Sequence, residues 1–131
     1  MPWVERIDLD GHRCMMIPDE VARTHPLAQA ARARGVPPWD VDGEGNGIAL
    51  PGSPEKVGAS GLPVHRGSHR GYTLHAEAML NGRRDALLQQ HGSLDRVPPE
   101  ELTRVMKLVE AQLRDAVRND PELRSREGRL Q

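Results

Sequence analysis

Apolar and polar positions alternate from Val4 to Leu9, a pattern that predicts a strand. Asp10-Gly11 is a hairpin-turn signal, and Arg13 to Ile17 reads as a second strand ended by Pro18. Asp19 or Glu20 then opens a short helix, which Pro26 interrupts or restarts. Pro26 to Arg34 is rich in helix formers, and Gly35 suits the C-terminal cap. Val36 to Asp40 is a stiff connector with two prolines. Asp42 to Pro51 is a glycine-rich turn leading into a short strand, Ile48 to Leu50, and residues 52–61 read as a surface loop.

The second half is helical in pattern. A helix is expected from about His65 to Ser68 as far as Leu80, with Asn81-Gly82 ending or kinking it. Arg83 to Gln90 is helical again, and His91-Gly92 is its stop. The clearest helix starts at Pro98-Pro99, with acids in its first turn. Leu102, Val105, Met106, Val109, Leu113 and Val117 give it one apolar stripe. The expected organisation is a single domain over residues 1–118 and a charged, frayed tail over 119–131. There are no internal repeats. Met1 and the strand that follows it favour a small free-standing protein over a piece of a longer toxin.

Composition narrows this picture. The chain has 131 residues, 37% hydrophobic, with no Phe, 13 Gly and 11 Pro. The core is therefore thin and built from aliphatic residues, Met and the two tryptophans. A net charge of −1 gives no global field for nucleic acid, although Arg66, Arg70, Arg83 and Arg84 lie close together in sequence. One cysteine, Cys14, excludes an intramolecular disulfide framework. No run approaches the length of a membrane span, and no apolar signal segment opens the chain, so a cytoplasmic location is expected, with a secreted toxin domain as the alternative.

The candidate chemistry lies in Leu62-Pro-Val-His65-Arg66-Gly-Ser-His69-Arg-Gly-Tyr72. Two histidines four apart on a helix share one face and can reach one metal ion. Alone this spacing is weak. It follows Asn46-Gly47-Ile48-Ala49-Leu50-Pro51, and together the two segments resemble the back half of the AHH family of HNH (ββα-metal) nucleases. Asp19 to Ala31 also resembles that family's linker helix. The resemblance covers roughly residues 13 to 91. It implies an α+β fold, a ββα-metal (HNH-like) finger with additional C-terminal helices. It further implies a divalent metal held by His65 and His69, Asn46 orienting the base, and Arg66 contacting phosphate. Tyr72 is more consistent with packing. The substrate would be DNA or RNA. An immunity or carrier protein would be a natural partner if this is a bacterial polymorphic-toxin domain.

The front of the pattern departs from the family. Counting back from Pro18, the family's paired histidines fall on Cys14 and Met15. A thiolate at Cys14 still binds metal and, with two imidazoles, favours zinc over magnesium. A thioether at Met15 cannot act as a base. His12, two residues before Cys14, shares its strand face and is the candidate substitute base, or else a fourth ligand in a closed structural site. The plain alternatives are a surface His12, a buried Cys14 and core-packed Met15 and Met16. His25 reads as a helix-start residue, His91 as a helix-end residue, and His75 falls on a different helix face from His69.

Three functions follow. The first is a metal-binding nuclease-fold protein that has lost ordinary catalysis, a pseudo-enzyme. The second is an active endonuclease using magnesium, manganese or nickel. The third is another enzyme on the same scaffold, since Cys, His and Met together also admit haem or copper.

Overall fold

The computed structural model describes residues 11–51 and 70–119. Along the chain run β1 (Gly11–Met15), α1 (Asp19–Thr24), α2 (Pro26–Arg34), a 3-10 turn (Glu44–Asn46) and β2 (Gly47–Pro51). Then come α3 (Arg70–His91), a 3-10 turn (Leu94–Arg96) and α4 (Pro99–Asn119). The expected α+β class is corrected by this inventory. The described residues are mostly helical, their strands amount to one two-stranded ladder, and a ββα-metal finger is not shown among them.

The ladder also differs from the expected hairpin. β1 pairs antiparallel with β2, with Cys14 opposite Ile48 and Met15 opposite Gly47. Gly11, read from sequence as half of a turn, is a strand residue opposite Pro51. The expected partner strand, Val4 to Leu9, lies outside the described residues. A turn dipeptide is only a local preference, whereas the pairing of β1 with β2 is backed by buried hydrogen bonds across 29 residues.

The helices follow local signals more closely. Asp19 and Glu20 sit in the first turn of α1, where the helix dipole favours acids. Pro26 restarts the helix as α2, because a proline at the first position forfeits no hydrogen bond. Gly35 does cap α2, but at φ −61 rather than in the left-handed region. It must be glycine for a different reason: a Cβ there would collide with Thr103 Oγ1 of α4 and with the Ala31 carbonyl.

α3 runs unbroken through Asn81-Gly82, which corrects the expected stop or kink. Gly82 faces open space, so its cost is only the propensity penalty of about 1 kcal/mol. Burial of Leu80 and Leu87 on either side outweighs that, at roughly 1.5–3 kcal/mol per side chain. The helix ends where expected, at Gly92 with φ +87. α4 buries all six residues of its predicted stripe. Its face packs on α2 and α3 and carries the core with Met16, Ile17, Leu27 and Tyr72. No helix among the described residues is long and apolar enough to cross a membrane.

Candidate functional site

The best-defined constellation gathers around the end of β1. Asn46 is fully buried. Its Oδ1 accepts the N–H of Ile17 at 2.7 Å, and its Nδ2 donates to the carbonyls of Ile17 (3.0 Å) and Val41 (2.9 Å). Its own carbonyl accepts the N–H of Met16 at 2.8 Å. Both amide hydrogens are spent on backbone carbonyls, which leaves none to donate to an imidazole.

Met16 is the junction of three elements. Besides its bond to Asn46, its carbonyl accepts the hydroxyl of Tyr72 at 2.7 Å, and its sulfur lies 3.8 Å from the same oxygen. Tyr72 is buried on the first described turn of α3. The end of β1, the turn before β2 and the start of α3 are thus tied together at one backbone unit. Met15, immediately before the junction, is partly buried and packs against the core.

The predicted site residues are only partly visible. His12 and Cys14 lie on β1, opposite Leu50 and Ile48 in backbone register. His65, Arg66 and His69 lie outside the described residues. Among the described residues no three His, Cys, Asp or Glu side chains converge so as to hold a metal ion. Of the arginines read as a cluster, the three among the described residues have different surroundings. Arg70 lines a groove with Glu20, Thr24 and Glu77, Arg83 lines a separate groove beside Gln112 and Asp115, and Arg84 pairs with Asp85 at 3.0 Å.

Two buried polar pairs were not foreseen. His25 caps α2: its Nδ1 accepts the N–H of Leu27 at 3.1 Å, and its Nε2 lies 2.7 Å from Asn81 Oδ1. Nε2 therefore carries the proton. The helix-start reading of His25 was available from Pro26, but Asn81 as its partner was not. Glu110 is the second case. Its Oε2 accepts the indole N–H of Trp39 at 2.7 Å, and Lys107 Nζ lies 3.5 Å from Oε1. Burial raises its pKa, opposed by Trp39 and by the charges of Lys107 and Arg114. Here a signal existed: residue 110 stands at helical spacing between Met106 and Leu113, on the buried stripe.

His25 yields a pH prediction. Burial is the largest influence and holds its pKa below the ordinary 6.5, with Asn81 opposing. The unfolded chain then takes up the proton first. The stability that neutral His25 contributes is complete above about pH 6.5 and is lost as pH falls from there toward the folded value. Glu110 acts in the opposite sense, because its raised pKa makes folding more favourable as pH falls toward the unfolded value of 4.5. His25→Asn keeps a cap but does not titrate. The stability advantage of wild type over this variant is expected to shrink as pH is lowered through about 6.5, measured by urea denaturation. An advantage independent of pH would contradict this.

With the geometry in place, comparison with known proteins defines the class. The matching family model is AHH, a nuclease family of the HNH/ENDO VII superfamily with conserved AHH, over residues 16–109. That is well over half of the chain, and the protein belongs to this family. The match begins directly after Cys14-Met15, and no two adjacent histidines occur anywhere in the sequence. No curated protein and no solved structure matches the chain.

Proposed function

We propose that this AHH protein binds a divalent metal ion, zinc foremost, and has lost ordinary phosphodiester hydrolysis, acting instead by binding nucleic acid or a protein partner. The observation that carries this reading is Met15. At the position where the family resemblance puts the general base, the chain has a thioether that packs against the core. A missing general base typically costs 10²- to 10⁴-fold in rate. The family relationship supports a nucleic-acid ligand. The donor set supports zinc: a thiolate from Cys14 with imidazoles from His65 and His69 is a soft, borderline set that suits that ion. Bound there, the ion would offset negative charge on a phosphate. Asn46 and Tyr72 hold the strand end that carries Cys14, and Arg66 is the candidate phosphate contact.

The test is zinc binding by the purified full chain. Elemental analysis after dialysis is expected to give about one zinc per chain, with X-ray absorption showing one sulfur near ~2.3 Å. Cys14→Ser should remove the sulfur and His69→Ala should weaken retention. A protein that takes up no zinc, or a zinc shell without sulfur in wild type, would overturn the reading.

A further inference from the structure

We propose that Arg114 and Glu110 of α4 are positioning residues for the strand end on which Cys14 and Met15 lie, a role that rests on the metal-site reading above. The Arg114 guanidinium donates to the carbonyl of Gly45 and lies 3.5 Å from that of Gly47. These carbonyls flank Asn46 on either side. Glu110 reaches the same turn: its Oε1 stands only 2.6 Å from where a Cβ of residue 45 would be, so a side chain there would force the carboxylate to move. The other oxygen is fixed by Trp39. Asn46 in turn holds Ile17 through its side-chain amide and Met16 through its backbone carbonyl. A continuous polar path therefore runs from α4 through the turn at 44–46 to the end of β1.

The path is expensive to bury, and apolar side chains would fill the same space at less desolvation cost. What apolar contacts lack is direction. Arg114 brings one guanidinium nitrogen, Nη2, to two carbonyls one residue either side of Asn46, and so holds the orientation of that turn. Small shifts there move Met16 and the residues before it as a unit.

The experiment compares wild type, Arg114→Met, Arg114→Lys and Gly45→Ala as full chains. Zinc affinity is measured by competition with a chromophoric chelator, and amide hydrogen exchange is followed at Met16 and Ile17. Arg114→Met and Gly45→Ala are expected to weaken zinc binding by roughly 10- to 100-fold, the range for groups supporting metal ligands. They should also speed exchange at Met16 and Ile17 relative to the amides of α2. Arg114→Lys should recover part of both. A merely structural brace would lower thermal stability while leaving zinc affinity and the local exchange unchanged in the folded variants, and that result overturns the proposal. If wild type takes up no zinc, the metal-site reading fails on its own. The exchange at Met16 and Ile17 then decides the positioning role.

Discussion

Asn46→Ala is expected to cost at least about 3 kcal/mol of folding stability. The substitution leaves the Ile17 N–H and the Ile17 and Val41 carbonyls without partners in a fully buried setting. Each buried polar group left unpaired costs ~1–3 kcal/mol, so even with partial relaxation the sum is large against a typical total of about 5–15 kcal/mol. Asn46→Asp is expected to be as harmful, because it keeps one acceptor but turns two donations into repulsion against carbonyls. Urea denaturation followed by circular dichroism measures both. A loss below about 1 kcal/mol for Asn46→Ala would show that water or a shifted backbone replaces the clamp without difficulty.

The second large effect is a gain. Cys14→His combined with Met15→His restores the residue types that the AHH resemblance places at the front of its pattern. If the missing base is what silences hydrolysis, the double variant is expected to nick supercoiled plasmid 10²- to 10⁴-fold faster than wild type in the presence of a divalent ion. Cys14→His alone should give little, since Met15 still occupies the base position. The Met15 change also removes a side chain packed on the core, so some loss of stability accompanies the gain. A folded double variant with no added cleavage would mean that more than the front pair separates this chain from its catalytic relatives.

How much of this was legible in the sequence depends on the range of each signal. The stripe of α4, the restart of α2 at Pro26 and the stop at Gly92 are local, and the structure keeps them. The ladder between β1 and β2 is not local. Asn46 clamps residues 29 positions away, and no turn dipeptide or alternation pattern reports that. Asp10-Gly11 suggests a turn, whereas Gly11 is a strand residue opposite Pro51; the strand expected before it lies outside the described residues. Asn81-Gly82 suggested a break because both residues are poor helix formers. Tertiary anchoring of Asn81 by His25, with burial of Leu80, outweighs that preference. The α+β class, a ββα-metal finger with additional C-terminal helices, rests on the family resemblance rather than on local signals, and most of the described chain is helix.

The site was legible in a different way. Family membership came from several segments in the right order, and the match over residues 16–109 agrees with it. Counting back from Pro18 puts Cys14 and Met15 where the family resemblance implies the paired histidines, a reading that needs no structure. It did not supply the polar path from Trp39 and Glu110 to Gly45. Those residues are brought together only when α4 packs against the turn before β2. Nor could proximity in sequence show that Arg70 and Arg83 face different grooves.

The central claim is that an AHH chain with Met15 at the base position does not cleave. Plasmid nicking by the wild-type chain tests this most directly, with Mg²⁺, Mn²⁺, Ni²⁺ or Zn²⁺ supplied in turn and His65→Ala as the paired control. The account predicts no conversion of supercoiled DNA above the metal-only background, and no difference between the two proteins. Metal-dependent cleavage by wild type that disappears in His65→Ala would contradict it.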